Sequence, residues 1–253
     1  MLSPIKTLAA TALLASTMVP LANAWAFDAA QKDEIGTIVR EYLLENPEIL
    51  VEMQTVLEER QRVAEAEART QILSEASDRI FNNAKDPVLG NPDGDITIVE
   101  FFDYNCGFCR RAHSDMVALL DSDPNVRFVI KEFPILGPDS QQAHTVSLAF
   151  QRIMPDRYGE FMDRLITGDG RADEATALAL AAEFGVEEAK MRFEMENPDI
   201  IASVQETYEL ANALGITGTP TYVIGNEVLA GAVGSETLAQ KMANMRECGQ
   251  TDC

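Results

Sequence analysis

The stretch Phe101-Phe102-Asp103-Tyr104-Asn105-Cys106-Gly107-Phe108-Cys109-Arg110-Arg111-Ala112-His113 decides the fold. Ahead of its cysteines, Ile96-Thr97-Ile98-Val99-Glu100-Phe101-Phe102 is a β-branched and aromatic run, short enough to be a buried strand. Behind them, Ala112, Met116, Leu119 and Leu120 recur at helical spacing until the turn-like Asp121-Ser122-Asp123-Pro124. The two cysteines therefore stand where a strand ends and a helix begins. The first turn of a helix leaves N–H groups unpaired and carries the positive end of the macrodipole, so an anion is stabilised there. The thiolate is the form of cysteine that attacks disulfides. Cys106 reads as the nucleophile, and Cys109, one turn on, is placed to close a disulfide with it or to resolve a mixed disulfide. Half of a zinc site is the competing reading, but it needs a second Cys or His pair. His113, His144, Cys248 and Cys253 offer no such spacing, so the pattern favours redox chemistry with no metal.

At the N-terminus, Lys6, an apolar run from Leu8 to Leu21, and the overlapping Ala22-Asn23-Ala24 and Ala24-Trp25-Ala26 sites read as a secretory signal peptide over residues 1–26. The run is interrupted by Thr, Ser and Pro and is too short for a membrane span. The mature chain is expected to be exported to the periplasm, where disulfides persist. The formal net charge is −21, which becomes −22 when Lys6, the one charged residue of the signal, is removed. So acidic a chain argues against nucleic acid or anionic lipid as a partner.

From Asp28 to about Asn82 the sequence reads as helix. Asp28 is an N-cap candidate, and Ile35, Ile38, Val39, Tyr42 and Leu43 form a one-sided stripe. Asn46-Pro47 looks like the cap and first residue of a second helix, with Ile49, Leu50, Met53, Val56 and Leu57 inward. Two short amphipathic helices need tertiary burial to persist. Either they pack on the main domain or they meet further copies of the chain; the second is the expectation. Glu58 to Gln71 keeps strong helix formers but almost no apolar face, the pattern of a solvent bridge. Apolar spacing resumes at Ile72, Leu73, Ala76, Ile80 and Phe81 before Asn82-Asn83, Asp86-Pro87 and Asn91-Pro92-Asp93-Gly94 break it.

Strand 96–102, helix 106–120 and strand 126–130 make a βαβ unit. A helical region follows from about Ser140 to Leu214, punctuated at Met154-Pro155-Asp156, Thr167-Gly168-Asp169-Gly170, Phe184-Gly185 and Asn197-Pro198. Thr221-Tyr222-Val223-Ile224, a Gly225-Asn226 turn and Glu227-Val228-Leu229-Ala230 then read as a hairpin, and a last helix runs from about Ser235 to Arg246. The fold class is α/β: a thioredoxin-like fold with an inserted helical domain, plus an N-terminal α-helical extension. The expected plan is a signal at 1–26, a helical oligomerisation module at 27–57, a charged helical linker at 58–83, and a catalytic domain at 84–253 with its insertion at about 140–214.

Glu100-Phe101-Phe102 leading into Cys106-Gly107-Phe108-Cys109, with Lys131-Glu132-Phe133-Pro134-Ile135-Leu136-Gly137 and Gly215-Ile216-Thr217-Gly218-Thr219-Pro220-Thr221, resembles the DsbA-like thiol-disulfide oxidoreductases of the bacterial envelope. The resemblance covers about Pro87 to Arg246. The Tyr42-Leu43-Leu44-Glu45-Asn46-Pro47-Glu48 segment is similar to the extension of the suppressor-of-copper-sensitivity protein C subgroup, some of whose members are trimeric disulfide isomerases. The resemblance implies a cis bond before Pro220, with Thr219 and Pro220 presenting backbone groups to an extended substrate segment.

Glu100 either reaches the exposed strand mouth or lies buried beneath the cysteines, where desolvation raises its pKa and suits it to moving the proton of Cys109. The resemblance supports the buried place, with Glu132 as the competing acid. Tyr104 and Phe108 either form an apolar rim for unfolded chains or simply pack, the residues favouring neither, and His113 is expected as a polar residue of the active-site helix. Gly107-Phe108 contains neither proline nor histidine, a departure from the most oxidising relatives that leaves the redox poise open. Cys248 and Cys253 are expected to form a structural disulfide, as suits an exported protein. The alternatives are a reduced pair, a Cu(I) site, or an electron relay.

The expected activity is disulfide isomerisation or oxidation of unfolded or misfolded secreted proteins. It would need no cofactor beyond the redox-active disulfide, with a membrane redox partner and a homo-oligomer such as a trimer as its assemblies. Two rivals stand beside it: a monomeric disulfide-donating oxidase and a non-enzymatic copper-binding or redox-sensing envelope protein.

Overall fold

Strand β2 (Ile96–Phe102) sends alternate side chains to opposite sides, and the molecule is layered around that alternation. Ile98 and Phe102 join one core cluster and Val99 and Phe101 another. The computed structural model describes residues 27–253, so the expected signal segment 1–26 lies outside the described residues. The chain divides after Arg60 into two compact units.

In the second unit, Gln61–Cys253, β2 pairs in parallel with β3 (Val126–Glu132), joined to it through α4 (Gly107–Ser122) in the predicted βαβ crossover. The hairpin β4 (Thr221–Ile224) and β5 (Glu227–Ala230) adds antiparallel strands to the other side of β2. The sheet order is β1-β3-β2-β4-β5. Edge strand β1 (Val88–Gly90), antiparallel to β3, escapes the sequence reading because three residues between Pro87 and Asn91-Pro92 look like turn. A β-ladder partner, not local propensity, makes it a strand.

On one sheet face lie α4, the last helix α10 (Ser235–Cys248) and the inserted helices α5 (Pro138–Ile153), α6 (Tyr158–Thr167), α7 (Glu174–Glu183) and α8 (Glu188–Met195). The breaks between them fall at the Pro and Gly positions expected from sequence. Helix α9 (Pro198–Leu214) ends with Leu210, Ala211 and Leu214 against the opposite face, so the stretch read as insertion also supplies a layer of the thioredoxin-like core. The same face is covered by Leu73 of α2 (Glu48–Glu75) and Ile80 of α3 (Ser77–Phe81). The compact unit therefore begins ahead of residue 84, where the sequence places the start of the catalytic domain. The apolar spacing that resumes at Ile72 is a core face, not part of a solvent bridge.

In the first unit, α1 (Ala29–Glu45) starts at the predicted Asp28, whose side chain accepts from the Gln31 N–H while Gln31 reaches back to the Asp28 N–H. This reciprocal capping box satisfies two orphan donors. Asn46 does not cap the second helix as expected. It is the C-cap of α1, its side-chain amide donating to the Tyr42 carbonyl. Ile38, Val39, Tyr42, Leu44, Leu50, Val51, Met53, Val56 and Leu57 are all exposed. Among the described residues no helix is long and apolar enough to cross a membrane.

Candidate active site

At the C-terminal end of β2 the chain turns through Asp103-Tyr104-Asn105 and delivers Cys106 as the N-cap of α4. Asp103 makes the turn: its carbonyl accepts the Cys106 N–H at 3.0 Å and its carboxylate the Asn105 N–H at 2.8 Å. The Cys106 carbonyl accepts the Arg110 N–H, closing the first turn. The Cys106 side chain thus lies beside the unpaired N–H groups of that turn, where negative charge is favoured. Its residue is 7% exposed, while Cys109 is fully buried one turn deeper, and both are free thiols.

The loop ahead of β4 closes over this pair. The Thr219-Pro220 bond is cis. The Cys106 thiol donates to the Thr219 carbonyl at 3.1 Å. Phe108 stands 59% exposed beside them, with the Arg111 guanidinium 4.3 Å from its ring centroid. Tyr104 does not share that rim: it is completely buried, edge-on to Phe102, its hydroxyl 2.7 Å from Ser147 Oγ. A tyrosine that finds a hydroxyl partner in the core need not keep its polar end in water.

Glu100 occupies the buried place, 2% exposed and opposite Tyr222 in the β2–β4 register. Desolvation, reinforced by the Asp115 carboxylate, pushes it up to about 8. Burial also raises the Cys109 thiol, with the Glu100 and Cys106 charges adding to the effect. The charge of Glu100 is thus felt at Cys109, and among the described residues no cation holds Glu100 ionised.

Glu132, the competing acid, does something different. Its carboxylate accepts from Ser147 at 2.6 Å and Tyr158 at 2.8 Å and is bonded to His144 Nδ1. Burial opposes charge on His144, yet Glu132 and Asp103 outweigh it and lift the imidazole to about 9. Asp103 in turn accepts from Ser140 at 2.8 Å. Burial drives the Asp103 carboxyl upward, but its His144 and backbone partners win and hold it below the usual range. Ser140, His144 and Ser147 escape the sequence reading. The signal for them was that Ser140, His144 and Ser147, at i, i+4 and i+7, share a helix face with the apolar Ala143, Leu148 and Phe150. His113 is buried and bonds Asp163 of α6 at 2.8 Å, tying α4 to the insertion. Cys248 and Cys253 are joined as a disulfide beyond the end of α10.

A cysteine pair at a strand–helix junction, a facing cis-proline loop and a buried acid define the thioredoxin-like class of redox sites. The sequence model described as the DSBA-like thioredoxin domain matches residues 97–243, and that described as the copper resistance protein ScsC N-terminal domain matches residues 31–64. The chain belongs to the DsbA-like thioredoxin domain family. A solved thioredoxin-like oxidoreductase from Silicibacter pomeroyi is 39% identical, with 68% of this chain and 98% of that one covered and a TM-score of 0.65. A linker-deletion mutant of Proteus mirabilis ScsC is 29% identical, covering 86% of this chain and 95% of its own, at a TM-score of 0.63. The thiol:disulfide interchange protein DsbA of Bordetella pertussis is 28% identical over 159 residues, 60% of this chain and 74% of that protein. The chain spans about a quarter of some other curated relatives it matches: it covers 26% of the Na(+)/H(+) antiporter NhaA of Herminiimonas arsenicoxydans, at 23% identity over 171 residues.

Proposed function

We propose that this protein is an exported thiol-disulfide oxidoreductase that isomerises disulfides in unfolded or misfolded secreted proteins of the periplasm. The observation that carries the reading is the Cys106 sulfur at the N-cap of α4, 3.1 Å from the Thr219 carbonyl and directly above buried Cys109.

In the proposed reaction the Cys106 thiolate attacks a client disulfide, forming an S–S bond to one client sulfur and releasing the other as a thiolate. A client thiolate then attacks that mixed disulfide and frees Cys106, which completes isomerisation with no net change in oxidation. Attack by Cys109 instead closes the Cys106–Cys109 disulfide and leaves the client reduced. Because the Cys109 thiol is raised by burial, it needs a base, and the Glu100 carboxylate supplies one. In the reverse direction protonated Glu100 returns the proton to the departing Cys109 sulfur. No bound cofactor takes part, since the electrons pass between sulfur pairs; a membrane redox partner resets the pair. Thr219 and Pro220 hold an extended client segment through backbone bonds, and Phe108 supplies an apolar contact.

The many large apolar residues left exposed on α1 and the start of α2 support self-association, because burying them would stabilise the helices that carry them. Several sites facing one client raise the effective concentration for repeated exchange, which favours shuffling over donation.

The test is repair of a scrambled-disulfide protein, with light scattering alongside, by the chain from residue 27 and by the chain from Gln61. We expect an oligomer that repairs and a monomer that only oxidises. Equal repair by both would overturn the assembly argument. Cys106→Ser should abolish exchange and Cys109→Ser should accumulate the mixed disulfide; exchange surviving in Cys106→Ser would end the enzymatic reading. Recovery of the mature chain from the cytoplasm would end the export reading.

A further inference from the structure

An open groove of about 410 Å³ begins at Thr219 and Pro220, passes Phe108 and runs to Gly215 and Val228. A Cβ added at Gly218 or Gly231 would meet nothing within 4 Å, so the groove has room for a chain. Its floor is neutral: Leu214-Gly215-Ile216-Thr217-Gly218-Thr219-Pro220 carries no charge. Among the described residues that line it, the one charged side chain is Arg69, from the α2 turn packed in the same compact unit. Its Nη2 lies 3.7 Å from where a Cβ on Gly215 would stand.

Arg69 makes no hydrogen bond, ion pair or ring contact among the described residues. Other arginines of its unit are engaged: Arg79, Arg152, Arg157, Arg164, Arg171, Arg192 and Arg246 each hold a carboxylate, Arg110 and Arg127 bond backbone carbonyls, and Arg111 lies over the Phe108 ring. The chain has 41 acidic and 20 basic side chains, so acids to pair with are in excess. An arginine left without one at the edge of an otherwise neutral groove is free to receive a carboxylate from outside.

We propose that Arg69 is a specificity residue of the exchange site, selecting client segments that carry an Asp or Glu a few residues from the reacting cysteine within an otherwise apolar stretch. This rests on the exchange reading and names the client chemistry for it. A strand advances about 3.3 Å per residue, so an extended client held by the cis-proline loop reaches Arg69 at only one or two positions along its length. The chain as a whole is strongly acidic, so an unpaired cation at the groove edge offers an acidic client segment a local attraction against that background.

The test uses the full chain and a set of extended apolar peptides containing one disulfide, with Glu, Gln or Lys walked through the four positions on each side of the cysteine. The readout is the rate of mixed-disulfide formation at Cys106. For the unaltered chain we expect Glu over Lys by about two- to fivefold at one or two adjacent positions, as suits a partly exposed charge pair. The ratio should shrink as salt rises. Arg69→Gln should bring the ratio to one and Arg69→Glu should invert it. Because each ratio is taken within one variant, a general loss of folded protein does not move it. Rates independent of peptide charge in the unaltered chain, or a preference untouched in Arg69→Glu, would overturn the proposal and leave exchange standing. No reaction with any peptide would overturn the exchange reading and this proposal together.

Discussion

Glu100 and Glu132 stand near the ends of adjoining parallel strands, 2% and 3% exposed, yet their surroundings differ in kind. Glu132 is held by His144, Ser147 and Tyr158. Glu100 makes no hydrogen bond among the described residues and faces Tyr222, the Cys109 pocket and the field of Asp115. Fully satisfied buried groups rigidify a core, whereas an unpartnered buried acid keeps its proton and can pass it on. One carboxylate therefore locks the loop that carries Cys106, through His144 and Asp103, and the other is available to a thiol.

The comparison breaks first at Glu132. Glu132→Ala leaves His144, Ser147 and Tyr158 buried without their shared partner, and urea unfolding should show a loss of about 3–5 kcal/mol, the usual consequence of uncoupling a buried pair. A loss under about 1 kcal/mol would mean the network is not what fixes the loop.

Glu100→Gln should go the other way. The folded value near 8 lies above the ordinary 4.5, so between those limits the folded state holds a proton that the unfolded chain has released. The protein therefore loses stability as pH rises from about 4.5 to 8, by up to roughly 5 kcal/mol. Glu100→Gln should lack that slope, matching the parent at pH 4 and exceeding it at pH 9, while resolution of the mixed disulfide by Cys109 slows at least about tenfold. Parallel stability profiles for the two proteins would remove the contrast between the acids.

His144 sharpens it from the side of a base. Its folded value near 9 lies above 6.5, so its contribution is complete below about pH 6.5 and is lost as pH rises through 9. His144→Asn should remove on the order of 3 kcal/mol of stability at pH 6 and much less at pH 10, as followed by thermal melts. Smallest of all, Tyr104→Phe deletes one buried hydroxyl contact with Ser147 and should cost about 1 kcal/mol with little change in exchange rate.

The place of the cysteine pair was legible because its setting is local: a strand, two cysteines three apart, and a helix follow one another in the chain. The helix breaks inside the insertion were legible for the same reason, since Pro and Gly act on their own neighbours. Tyr104 was not, because its place inside depends on Ser147, 43 residues away. Nor was the role of Asn46, where one side chain could serve either of two helix ends and only the observed turn assigns it to α1. The linker reading ended too late for a similar reason. Leu73 and Ile80 look like the tail of a polar helix until Val99, Phe101 and Leu214 are seen across from them.

By itself the sequence determined where the two cysteines sit, that the strand before them is buried on both sides, and that a Thr-Pro loop precedes the returning hairpin, all matters of neighbouring residues. Tertiary structure alone decided which buried acid lies by the thiols, which one is bound into the core, and which arginine is left facing the groove. Burial and pairing are set by what arrives from distant parts of the chain, and no local pattern encodes the identity of that neighbour.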